Sequence, residues 1–226
     1  MKDRSLLKLG AVASILLGVA KLFSGGIYFF VAPEQRVASP GALLLPSFAQ
    51  DPLRLTLLFW AEALVGIFGF AVVPALASLL RERSEGWVRW SSTLATVGYA
   101  IASAGYLLTI ARLPVIAAAY VKGEPSTQAA LAAVWKSSPD LQGFWGYAAI
   151  GVWVLVMSLL AMRGQGFPRG YALLGLLLAI LYLLIPVAVI PKNQTLVLGI
   201  VGLGAIVAPI WYVWTGLVLR RRASSD

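Results

Sequence analysis

Lys21 and Glu62 are the only charged residues set deep inside long apolar stretches of this chain. A lone charge near the middle of a membrane costs at least about 2.5–3.5 kcal/mol, so each of the two needs a physical reason to be there. An ammonium and a carboxylate that face each other offset that cost. Such a pair can serve as a plain clamp between two helices, which is its commoner use. It can also serve as a site where a solute, an ion or a proton competes for one partner. Ser24, Tyr28, Trp60 and Tyr106 fall in the same half of the chain's apolar spans as the pair, and Tyr147 and Tyr182 do so too. Their convergence predicts a pocket with a charged floor, with Lys21, Glu62, Ser24, Tyr28, Trp60 and Tyr106 as candidate binding residues. The plainer reading of the tyrosines is a belt at the membrane interface.

The chain has no cysteine and no histidine. That excludes disulfides, Cys/His zinc sites, iron–sulfur clusters and haem ligated by either residue, and no cofactor or metal is expected. It also removes the usual proton-transfer group near neutral pH. Asp and Glu together number 9, and all but Glu62 lie in loops or tails, so a two-carboxylate catalytic site inside the spans cannot form. Glu34, Asp51, Glu124 and Asp140 fall in loops on one side and could gather there, but loop acids are far more often solvated charges. No phosphate-binding loop, nucleophile elbow or zinc-protease motif is present. The expectation is a protein that is not an enzyme.

The elements that must position the pair are long apolar helices. The chain has 226 residues, 60% of them hydrophobic and 12% charged, whereas a soluble domain carries about 25% charged residues. A bilayer core takes roughly 20 apolar residues per helix. Spans are expected near 6–31, 53–80, 90–113, 142–162, 170–190 and 195–219. They leave no room for a separate soluble domain, so residues 1–226 read as a single transmembrane domain. The runs are continuously apolar rather than alternating, which selects helices over a β-barrel. The first stretch stays apolar through Val31 and reads as a span rather than a cleaved leader.

Depth brings the two charges together. Lys21 lies just past the middle of the first span and Glu62 just before the middle of the second, so in antiparallel neighbours their heights differ by about 3 Å. Small residues accompany both. Gly10, Ser14, Gly18, Lys21, Gly25 and Tyr28 share one face of the first span, and Glu62, Gly66 and Gly69 share one face of the second. The third carries Ser91, Ala95, Gly98, Ala102 and Gly105. Such stripes let helices approach closely.

Lys and Arg set the orientation. With the N-terminus inside, the inner segments hold eleven of them and the outer segments six. Both termini are therefore expected in the cytoplasm. The net charge of +9 is explained by these span ends, not by nucleic acid. Trp87, Trp90, Trp211 and Trp214 are expected near the inner interface and Trp135 and Trp145 near the outer one, while Trp60 and Trp153 lie deeper than belt residues. Residues 32–52 carry Pro33, Pro40, Pro46 and Pro52 and are expected to be mostly irregular. Residues 114–141 are expected to hold a short helix, TQAALAAVW, capped by Ser126 and ended before Pro139. Pro74, Pro186 and Pro209 lie inside spans and free backbone carbonyls there.

Four stretches carry a family likeness: QDPLRLTLLFWAEAL, VVPALASLLRERS, RGQGFPRGYALLGLLLAILYLL and PIWYVWTGLVLRRR. With them the chain resembles an uncharacterised six-span family of bacterial integral membrane proteins, known only as a domain of unknown function. The resemblance implies a fold and a membrane location, and no activity. The reading is an all-α, polytopic transmembrane bundle of six helices, N-in/C-in, multi-pass in the cytoplasmic (inner) membrane of a bacterium. Its partner is the lipid bilayer. Two roles remain: binding or passing a small solute or lipid through an outer-half pocket near Lys21 and Glu62, or acting as a non-catalytic membrane subunit or regulator through helix contacts with a partner protein.

Overall fold

The computed structural model describes residues 4–36, 39–135, 144–163, 166–189 and 194–225. Lys2, Lys136, Pro139, Asp140 and Lys192, on which part of the sequence reading rests, lie outside the described residues. Among the described residues eight α-helices follow one another: α1 (Arg4–Phe30), α2 (Gly41–Gln50), α3 (Leu53–Leu80), α4 (Glu85–Lys122), α5 (Pro125–Val134), α6 (Phe144–Met162), α7 (Arg169–Val189) and α8 (Gln194–Ser225). There is no β-strand among the described residues. Six of the helices, α1, α3, α4, α6, α7 and α8, are long and apolar enough to cross a membrane.

The six spans close into a ring. α1 packs against α3 and α8, α3 against α4, α4 against α6, α6 against α7, and α7 against α8, with little contact across the middle. Leu7 of α1, Ala75 of α3 and Leu219 of α8 share one small core, so the start of α1 and the end of α8, the terminal helix ends, lie at the same end of the bundle. Small residues set the closest seams. A Cβ on Gly18 would stand 3.0 Å from the Pro209 carbonyl oxygen and 3.1 Å from the Val213 nitrogen of α8. Gly66 of α3 likewise faces the Tyr99 carbonyl and Ser103 of α4, and Gly98 of α4 faces Gly146 and Ala149 of α6. The glycine stripes are therefore spent within the ring, on contacts between its own helices.

At the end of the ring that holds the termini, aromatic rings fill the axis. Trp153, Trp211, Tyr171, Tyr99 and Tyr212 are each at most 1% exposed. Tyr171 stacks on Trp211 at 5.6 Å, and Trp153 meets Trp211 edge-on at 6.0 Å. Trp211 thus faces the core instead of the membrane interface where it was expected. Trp87, Trp90 and Trp145 are exposed, as belt residues are.

The opposite end, which carries the long connections, departs most from the sequence reading. Residues 32–52 are not mostly irregular: a 3₁₀ turn, Pro33–Gln35, leads to helix α2. Pro46 removes one backbone donor from that helix, but Leu44, Leu45 and Phe48 are buried with Leu113 and Ala117 of α4, and burial outweighs the lost bond. Gln35 then caps the helix, donating to the Ser47 and Asp51 carbonyls at 2.9 and 2.8 Å. The same contacts carry α4 past Pro114 to Lys122, beyond the span end expected at 113. The short helix α5 forms where TQAALAAVW placed it, but Ser126 does not cap it. Glu124 holds the N-cap position without a side-chain bond and Pro125 opens the helix. Trp135 follows it and is buried beside α2 and α4 rather than lying in the membrane interface.

Candidate functional site

The middle of the ring holds one ion pair. Lys21 leaves α1 from its small-residue face, because Gly18 and Gly25 on either side draw α8 close and turn that face inward. Glu62 leaves α3 from the face that continues through Gly66 and Gly69. Their heights match, and Lys21 Nζ donates to Glu62 Oε2 at 2.7 Å. The two side chains are 10% and 12% exposed, so the pair is nearly sealed from the surroundings. In so apolar a place its attraction is little screened.

Tyr147 of α6 completes the arrangement. Its hydroxyl accepts from Lys21 Nζ at 3.2 Å and donates to Glu62 Oε2 at 3.4 Å, and the ammonium also stands 5.0 Å from the centre of its ring. Tyr106 of α4 borders the same place beside Tyr147 and the ion pair. A second group of hydroxyls lies toward the end that holds the termini: Tyr99 and Tyr212 meet at 2.7 Å, and the Tyr182 ring packs 5.2 Å from that of Tyr147. Between the two groups and the ion pair is a void of about 20 Å³. One water needs roughly 10–15 Å³ and two or more polar partners, so this void suits a single water.

On the other side of the pair, toward the long connections, lies a larger cavity of about 180 Å³. All six spans line it, with Lys21 from α1, Glu62 from α3, Tyr106 from α4, Tyr147 from α6, Tyr182 from α7 and Ala205 from α8 among its walls. Most of the remaining wall is aliphatic, including Leu58, Leu181, Ile185, Val197 and Ile200. The cavity is thus an axial, apolar chamber that ends on an ion pair and is closed beneath by the aromatic plug.

Of the residues singled out from sequence, Lys21, Glu62, Ser24, Tyr28 and Tyr106 all line this chamber. Ser24 turns its hydroxyl back to the Lys21 carbonyl at 3.1 Å, and Tyr28 stands at the rim under the Arg36 guanidinium, 5.7 Å from its ring. Trp60 does not join them. It is 46% exposed on the outer surface of the ring and lines no part of the chamber. Tyr99 and Tyr212 were not foreseen. The spacing of Tyr99 and Tyr106, seven residues apart on one helix face, was the available signal. Of the loop acids, Asp140 lies outside the described residues and Asp51 approaches Arg54 at 3.8 Å on the surface; no group of three acids that could hold a metal ion forms among the described residues.

This arrangement can hold one small molecule between aliphatic walls and a polar floor. The family described as Domain of unknown function (DUF4386) matches residues 9–218. The chain belongs to the DUF4386 family. No curated protein and no solved structure matches it. In this DUF4386 chain the matched region runs from the second turn of α1 into the last third of α8 and therefore contains part or all of each span, the ion pair and the chamber lining.

Proposed function

We propose that this membrane protein binds a small solute or lipid segment in the axial chamber, against the Lys21–Glu62 pair. The observation that carries the reading is the chamber itself. A clamp between α1 and α3 needs only the two charges and tight packing around them. Here about 180 Å³ of space adjoins the pair instead, and all six spans build its wall. The chamber is mostly apolar with a few converging polar groups, which is the usual make-up of a ligand site. Glu62 is the only carboxylate on its wall among the described residues, which supports binding or passage rather than catalysis. The Lys and Arg distribution supports an orientation with both termini in the cytoplasm of a bacterium, which would place the chamber in the outer half of the inner membrane.

The alternative, a subunit that works through helix contacts with a partner, has less support. The small-residue stripes of α1, α3 and α4 are occupied by neighbouring helices of the same chain.

Cysteine chemistry tests the reading without background, since the chain has no cysteine. Gly204 lines the chamber, and a Cβ there would meet nothing within 4 Å. In liposomes, Gly204→Cys should react with a small neutral thiol reagent, and occupants of the chamber should slow that reaction. If Gly204→Cys stays inert while the exposed Gln50→Cys reacts, the chamber is closed to solutes and the pair is only a clamp.

A further inference from the structure

The open valences of the ion pair say what the head of such a ligand must be. Both hydrogen bonds to Glu62 fall on Oε2, one from Lys21 and one from Tyr147. Oε1 accepts none from any described residue. The Lys21 ammonium has three N–H groups, of which two are used, on Glu62 and on Tyr147. Lys21 and Glu62 both line the chamber, so an acceptor and a donor without a partner among the described residues belong to its floor, on a pair whose total charge is zero.

Three kinds of head can be compared against that floor. An ammonium donates but cannot accept, so it leaves the third Lys21 N–H unmet and adds a net charge to an apolar site. A carboxylate accepts but cannot donate, leaves Glu62 Oε1 unmet and adds a charge of the other sign. A hydroxyl does both with a single oxygen and adds no charge. The walls fix the rest. Leu58, Leu181, Ile185, Val197 and Ile200 offer no polar partner. A cavity of about 150 Å³ holds a benzene ring, so one of this size admits a body of roughly six to ten carbons.

We infer that the chamber selects an uncharged alcohol or phenol with a compact apolar body, whose hydroxyl donates to Glu62 Oε1 and accepts from Lys21 Nζ. This rests on the binding reading proposed above and narrows it to a ligand class. The chemistry is shared by free small alcohols and by the hydroxyl-bearing end of a lipid; a compact body fits the first and a chain threaded out of the chamber the second.

Four probes with one common body separate the cases: cyclohexylmethanol, ethylcyclohexane, cyclohexylmethylammonium and cyclohexanecarboxylate. Their affinities are measured by calorimetry on the full chain in detergent. The same titrations on Gly204→Leu, which fills the chamber from an open position, remove any contribution from partition into the micelle. The expected result is that cyclohexylmethanol binds about tenfold or more tightly than each of the other three, the ratio that a hydrogen bond to a charged group supplies, and that Gly204→Leu abolishes this binding. Equal affinity for ethylcyclohexane and the alcohol would overturn the inference about the head and leave the chamber as a binding site. Preference for the ammonium or the carboxylate would overturn it in favour of that charge class. If no probe binds, or if binding survives in Gly204→Leu, the binding reading itself fails. A hydroxyl-bearing monoacylglycerol that competes with cyclohexylmethanol would assign the lipid source, and one that does not compete would assign the free alcohol.

Discussion

Replacing Glu62 by leucine leaves the Lys21 ammonium buried with only a tyrosine hydroxyl beside it. The expected cost is about 3–5 kcal/mol, read as a lower unfolding midpoint in a denaturant titration of the purified chain. Replacing both partners, Lys21→Met with Glu62→Leu, removes the stranded charge and should recover most of that loss, because a buried pair contributes little net stability over apolar residues of similar size. Recovery of folding without recovery of ligand binding is the combined result expected of a functional pair; a double variant as unstable as Glu62→Leu would mean that the surrounding tyrosines, not the charges, set the geometry. Ser158 makes the opposite case. It is fully buried, and its hydroxyl, like the indole N–H groups of Trp153 and Trp211, finds no partner among the described residues. Ser158→Ala should therefore raise stability by about 1–3 kcal/mol in the same titration, since it deletes an unmet polar group at little cost in packing. The pairing of Lys21 with Glu62 was legible in the sequence because two opposite charges in oil have few other solutions. Trp60 was misplaced for a simple geometric reason: two residues along a helix is a rotation of about 200°, so Trp60 faces lipid where Glu62 faces the axis.

Among the elements, α1 and α8 form the most extensive seam and give the sharpest contrast. A methyl on Gly18 would press against the Pro209 carbonyl and the Val213 backbone, so Gly18→Ala should destabilise the chain by about 1–3 kcal/mol. Gly26 lies on the same helix with nothing within 4 Å of the same methyl, and Gly26→Ala should leave stability unchanged or raise it by about 0.5–1 kcal/mol. Thermal melts of the two variants check this directly, and equal effects would mean that α1 does not pack on α8 as described. The spans were legible as long apolar runs, and so were the stripes that seat them. Helix ends were less so. The segment with Pro46 was expected to be mostly irregular and the third span to end at 113, just before Pro114, yet each proline sits in a helix that continues, because Leu113, Ala117, Leu44, Leu45 and Phe48 bury one another across α2 and α4. A proline's local penalty is visible in sequence; the tertiary burial that outweighs it is not.

For the whole molecule the open question with the clearest measurement is orientation. Glu82 lies at the end with the termini and Gln50 at the opposite end, and both are exposed. In intact bacterial cells a membrane-impermeant thiol reagent should label Gln50→Cys and spare Glu82→Cys; the reverse pattern would turn the chamber toward the cytoplasm. The amino-acid sequence alone determined that the chain is a six-span helical membrane protein and that one ion pair must form inside it, since the length of apolar runs and the cost of bare charge in lipid are local properties of the residues. The closure of the six helices into a ring was decided by tertiary structure, and with it the chamber on one side of the pair and the aromatic plug on the other. Those features come from side chains far apart in sequence, Lys21, Tyr147 and Tyr212 among them, and which faces of separate helices turn toward one axis is fixed only when all six pack at once.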